Sequence, residues 1–176
     1  MTVKTAVRKV TRLGNPVLRN GTRPLSPDEI AEPSVQRLID EMFATMDEYC
    51  GVGVAAPQVD QPLALFVMGL PAGTERHPEG IELTAVFNPK VHFLDTELES
   101  DWEGCLSVPG LRGQVPRHRK LELSGLDREG VAFTRIYEGF PARVVQHETD
   151  HLMGKVYLDR MSGLATLAFT DELARR

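Results

Sequence analysis

The first long amphipathic stretch begins in the mid-thirties. Val35, Leu38, Ile39, Met42, Phe43 and Met46 recur at spacings of three and four, the stripe of a helix with one buried face. Ser34 is placed to cap it, and Gly51 lies just past its end. Ahead of it, Gly14-Asn15-Pro16 reads as a turn and Ser26-Pro27-Asp28 as a helix entry or loop. Short apolar runs follow: Leu63 to Met68, Thr84 to Phe87, and a mixed stretch from Val91 to Leu98, all strand candidates. Between the first two, Gly69 to Gly80 holds three Gly and two Pro and reads as a surface loop. Leu121–Leu126 and Val131–Tyr137 flank Asp127-Arg128-Glu129-Gly130, the pattern of a β-hairpin. A second helix is predicted from about Pro141 to Met153, with proline in its first turn and Gly154 at its stop. Strands surround two helices without regular β-α-β alternation, which predicts an α+β fold with antiparallel or mixed sheets around the second helix. No repeat, low-complexity tract or linker interrupts the chain, so residues 1–176 are expected to form one domain.

Composition narrows the function classes. Apolar residues make up 41% and charged residues 26%, ordinary for a globular protein. A net charge of −5 gives no overall pull toward nucleic acid, and no apolar run is long enough for a membrane helix. Two cysteines, Cys50 and Cys105, make no disulfide framework and suggest a reducing compartment. Lys4, Arg8, Lys9, Arg12, Arg19 and Arg23 precede the first acid, Asp28, as in some transit peptides. The early turn at Gly14 argues for folded structure instead, and the cytoplasm is the expected location.

The chemistry concentrates on the second helix, which contains His147-Glu148-Thr149-Asp150-His151. Histidines at i and i+4 share a helix face, so both imidazoles can converge on one divalent ion. Glu148 projects beside that face, where a carboxylate can serve as general base toward an activated water. A solvated surface helix is the bland alternative. Val144, Val145 and Leu152 argue against it, because two histidines and two carboxylates on a buried helix are costly unless paired or metal-bound. A catalytic site of this kind uses three protein ligands. The third could be a downstream carboxylate (Asp159, Asp171 or Glu172) or Cys105, which stands in the turn Glu103-Gly104-Cys105-Leu106-Ser107.

These residues resemble the peptide deformylases. Three motifs occur in that family's order: Gly51-Val52-Gly53-Val54-Ala55-Ala56-Pro57-Gln58, Glu103-Gly104-Cys105-Leu106-Ser107, and Gln146-His147-Glu148-Thr149-Asp150-His151-Leu152. The early turn and Gly154 match as well, so the resemblance spans roughly residues 13 to 160. Thr149 and Val54 depart from the family's usual residues without touching its chemistry. The chain ends soon after Asp171, so any ribosome docking through the long C-terminal helix of many bacterial members is not carried over.

The resemblance implies hydrolysis of the formyl group on formylmethionyl peptides, with nascent chains at the ribosome as partners. It implies one divalent ion on Cys105, His147 and His151, commonly Fe²⁺ and replaceable by Zn²⁺, Ni²⁺ or Co²⁺. It makes Glu148 the proton carrier, with the Gln58 amide and the Leu106 N–H stabilising the oxyanion. Gly51, Val52, Gly53, Gly104, Arg112 and Val144 are candidate substrate contacts; the glycines also read as a plain turn after the first helix, Arg112 as a solvated surface arginine and Val144 as core packing. Trp102 and Glu103 read as cleft walls, Asp150 as either an orienting group or an arginine partner, and Cys50 as structural. Three other readings remain at this point: an endopeptidase with the same helix, a non-catalytic peptide-binding relative, and a closed structural zinc domain.

Overall fold

In a computed structural model, residues 5–74 and 77–174 are described; Lys4 of the basic N-terminal series lies outside them, as do Glu75 and Arg76 of the Gly69–Gly80 loop. A 3-10 turn at Pro16–Leu18 follows Asn15, whose side chain accepts from the Val17 N–H. The short helix α1 (Pro27–Ile30) opens with a reciprocal cap: Ser26 Oγ accepts from the Glu29 N–H, and Glu29 Oε2 accepts from the Ser26 N–H. Helix α2 spans Pro33–Glu48. Ser34 does not cap it. Pro33 occupies the first turn, where its missing N–H costs nothing, and Glu32 is the cap residue without a side-chain bond. The helix closes with the Gly51 N–H donating to the Met46 carbonyl.

Eight strands follow the two-sheet plan of an α+β protein. One sheet has the order β1 (Gly53–Ala55), β2 (Leu65–Leu70), β3 (Ile81–Phe93), β6 (Lys120–Leu126), β7 (Ala132–Glu138). The other has the order β4 (Leu98–Cys105), β5 (Val108–His118), β8 (Ala168–Phe169). All paired strands run antiparallel, and one isolated parallel bridge joins Arg23 to Leu63. The stretch 91–98 is not one strand: β3 runs on to Phe93, and β4 starts afresh at Leu98.

The pleat of β2 explains why Leu63 to Met68 reads as an unbroken apolar run. Leu65 and Val67 point to a core with Leu38, Ile39, Met42 and Met46 of α2, whereas Phe66 and Met68 point to a second core. That second core holds Ala142, Val144, Val145 and Leu152 of helix α3 (Phe140–Leu152), so α2 and α3 cover opposite faces of one sheet. Helix α3 ends at Gly154, whose φ of +71° and proximity to the Arg19 carbonyl exclude a side chain. A short helix α4 (Thr170–Leu173) follows β8. No helix among the described residues is long and apolar enough to cross a membrane.

Candidate metal centre and substrate cleft

The helical repeat of α3 brings His147 and His151 together with ring centroids 5.0 Å apart and nearly perpendicular. Cys105 meets them from the end of β4, where the ladder to β5 shifts register between Gly104 and Cys105. Its Sγ lies 3.4 Å from His151 Nε2, and the donor atoms of Cys105, His147 and His151 all fall within 4.8 Å of one another. One thiolate and two imidazoles at that separation fit a single divalent ion with bonds of about 2.0–2.3 Å. None of the downstream carboxylates joins this cluster.

Glu103 lines the cleft, as expected of a wall residue, but it is nearly buried and sits underneath the cluster. Its Oε2 is 2.8 Å from His147 Nδ1, so the carboxylate accepts a hydrogen bond from Nδ1–H and leaves the Nε2 lone pair free to ligate an ion. Arg117 forks onto both carboxylate oxygens at 2.9 and 3.0 Å, and Arg143 adds a bond of 2.8 Å. Burial pushes the Glu103 carboxyl up, but His147 and Arg117 more than offset it and hold it far below the usual range. Arg117 continues to Asp150 at 2.5 Å, and Asp150 also pairs with Arg160. Asp150 is therefore an arginine partner that ties α3 to β5. The ring of Tyr157 lies almost parallel to that of His147, 6.5 Å away.

Burial likewise pushes the Cys105 thiol up, yet the imidazoles of His151 and His147 bring it well below the ordinary thiol range. Glu148 goes the other way: burial dominates and raises its carboxyl to about 7. Its Oε2 is buried and has no hydrogen-bond partner among the described residues. A carboxylate left unpaired beside a metal-type cluster has the proton affinity a general base near neutral pH needs.

Gln58 is fixed by its own backbone neighbourhood. Its Oε1 accepts from the Ala55 N–H at 2.9 Å, which orients Nε2 toward Cys105 Sγ (3.5 Å) and Ser107 Oγ (3.3 Å). The amide thus presents donors to the site. A cleft of about 1030 Å³ opens here, lined among others by Gly51, Val52, Gly53, Gln58, Gly104, Leu106, Arg112, Val144, His147 and Glu148. Trp102 also lines it, and His151 lies behind, fully buried. Cys50 lines the mouth as an exposed free thiol rather than sitting in the core. Strand β1 is the outermost strand of its sheet, so one of its edges is free of ladder partners.

The family model for polypeptide deformylase matches residues 7–166. The chain belongs to the polypeptide deformylase family. Peptide deformylase 1 of Xanthomonas campestris pv. campestris is 42% identical over 170 residues, covering 96% of this chain and 98% of that one. Peptide deformylase 2 of Pseudomonas putida is 41% identical, covering 95% of this chain and 94% of its own length. Among solved structures, a class I type b peptide deformylase from Acinetobacter baumannii with Met-Ala-Ser bound superposes with a TM-score of 0.83 at 34% identity, over 89% of this chain and 99% of that one. A peptide deformylase from Legionella pneumophila gives 0.78 at 36% identity, over 90% and 88% of the two chains.

Sequence reasoning missed the support beneath the deformylase site. Glu103, Arg117 and Arg143 come from β4, β5 and α3, and no local spacing links them.

Proposed function

We propose that this deformylase removes the formyl group from the N-terminal methionine of newly made peptides, with Cys105, His147 and His151 holding one divalent ion. The observation that carries the reading is the meeting of three groups in one cleft: the thiolate–imidazole cluster, the unpaired Glu148 carboxylate, and the Gln58 amide with its donors aimed inward. The bound ion would acidify a water and polarise the formyl carbonyl.

The remaining steps belong to the chain itself. Glu148, poised near neutrality, takes the proton of the attacking water and returns it to the departing amine nitrogen as the C–N bond breaks. Gln58 Nε2 and the Leu106 N–H donate to the oxygen on which negative charge develops. The free edge of β1 receives the peptide backbone as an added strand, with Gly51, Gly53 and Gly104 permitting close approach, Val52 contacting it and Arg112 reaching its carbonyls. Val144, on the cleft side of α3, borders the methionine side chain. The peptide bound in the Acinetobacter baumannii structure supports a peptide occupant.

Iron is the proposed ion; the donor set suits zinc equally well. Nascent chains at the ribosome are the proposed substrates, and two free thiols suit a reducing compartment such as the cytoplasm. The endopeptidase, structural zinc and non-catalytic readings are set aside: the relatives are deformylases, and the ligand cluster keeps an unpaired carboxylate beside it.

The test is chemical. Metallated protein purified without oxygen should release stoichiometric formate from formyl-Met-Ala-Ser and leave acetyl-Met-Ala-Ser and internal bonds intact. Glu148→Ala should keep its metal and lose about 10²–10⁴-fold in kcat. Internal cleavage without formate, or full activity in Glu148→Ala, would overturn the reading.

A further inference from the structure

We infer that the extended N-terminal segment, residues 8–13, gives the cleft a cationic rim that selects peptides with acidic residues downstream of the formylmethionine. This rests on the deformylase reading of the cleft and adds a substrate preference to it.

The segment is strapped across the two loops that build the site. Its Thr11 N–H donates to the Gln58 carbonyl and its Leu13 N–H to the Ser107 carbonyl, both at 2.8 Å. Thr11 Oγ1 adds a bond to the Pro57 carbonyl at 3.1 Å. Arg12 is therefore held between two anchored residues, at the seam of the two motifs. Arg8 turns away to Glu41 of α2 at 2.7 Å and Val10 is buried, whereas Lys9 and Arg12 line the cleft. Arg112 of β5 lines it too.

The charges do not cancel. Among the described residues none of Lys9, Arg12 and Arg112 takes part in an ion pair, while neighbouring Arg8, Arg117 and Arg143 all do. The described acids in the lining are Glu103 and Glu148, 5% and 3% exposed, and Glu103 is already matched by two arginines. Among the described residues, the exposed charge of the lining is thus positive, in a chain whose net charge is −5. A concave wall concentrates the field of such charges and raises the local concentration of the opposite sign. Polyanionic nucleic acid fits poorly: three cations in a cleft are fewer than the roughly 6–10 phosphate contacts of a typical binder. A peptide strand laid on β1 carries its side chains past this rim, and Asp or Glu there would find unpaired cations.

The experiment compares kcat/KM for formyl-Met-Ala-Ser, formyl-Met-Glu-Glu and formyl-Met-Lys-Lys at low and high salt. The wild-type metalloenzyme is set against a Lys9→Glu/Arg12→Glu double variant. Arg112 is left intact because it is assigned to the peptide backbone. Exposed pairs of this kind contribute about twofold to fivefold each, so the acidic peptide should exceed the basic one by about tenfold at low salt. High salt should compress that ratio, and the double variant should invert it. The readout is the ratio within each protein, which a uniform loss of activity does not change. Equal rates for the acidic and basic peptides, or a ratio that survives charge reversal, would overturn the inference and leave the deformylase reading standing. Failure on all three peptides would overturn both. A short RNA that blocks formyl-Met-Ala-Ser turnover as effectively as the acidic peptide competes would assign the rim to phosphate and overturn the peptide assignment.

Discussion

Gly53 and Glu148 occupy positions that exclude a side chain on the first if the second is to keep its place. A methyl group on Gly53 would overlap the Glu148 carboxylate and come within 2.7 Å of its Cδ and 2.8 Å of its Cγ. The glycine of the edge strand is thus also the floor against which the proposed proton carrier rests.

Gly53→Ala should therefore displace the carboxylate without disturbing the backbone, since Gly53 is not among the positive-φ residues. We expect kcat to fall about 10²-fold, the scale of a misplaced reacting group, with metal content unchanged. Wild-type kcat in a fully metallated Gly53→Ala protein would show that the carboxylate position is not critical.

Gln58→Leu removes two things at once. The Ala55 N–H loses its acceptor, costing about 1–3 kcal/mol of stability as an unsatisfied buried group. The donor facing the site is lost as well, which should lower kcat about 10²–10³-fold with KM nearly unchanged. A change confined to KM would make Gln58 a ground-state contact. Thermal melting separates the stability effect from the kinetic one.

Glu103→Gln should weaken both fold and metal retention, because two buried guanidiniums and the His147 Nδ1 proton lose their shared anion. Breaking a buried pair costs about 3–5 kcal/mol, and loss of a histidine's orienting partner about 10–100-fold in metal affinity. The sign with pH is fixed by the direction of the Glu103 shift. A carboxyl lowered from 4.5 stabilises fully above that value and loses its contribution as pH falls. The melting-temperature gap between wild type and variant should be widest at neutral pH and narrow in acid. A gap that widens in acid would contradict the ion-pair assignment.

The local features were legible because their signals are local. Helix α3, its two histidines, its glycine stop and the β6–β7 hairpin all depend on spacings within about a dozen residues. Strand β5 was not legible: Pro109, Gly110, Gly113 and Pro116 fill it with turn signals. It tolerates them because Pro109 lies beside the turn that follows Cys105, and Gly113 leaves room for Met161. Ser34 misled because Pro33 already satisfied the first turn of α2. Glu103 was legible as a cleft residue but not as the anchor of His147, since its partners come from strands and a helix that only the folded chain brings together. Lys9 and Arg12 read as part of a basic N-terminal series, and only the bonds from Thr11 and Leu13 place that segment at the site.

The three-donor cluster straddles two sheets: Cys105 comes from the three-stranded one, the histidines from the helix packed on the five-stranded one. Hydrogen exchange in folded proteins reports partial openings of such units, at less free energy than global unfolding. An opening that parts these two would take Cys105 away from the imidazoles that hold its thiol low, and would dismantle the three-donor set. An ion held by both sheets would favour the closed arrangement by mass action. How long the protein keeps an ion is thereby tied to how seldom its two sheets separate.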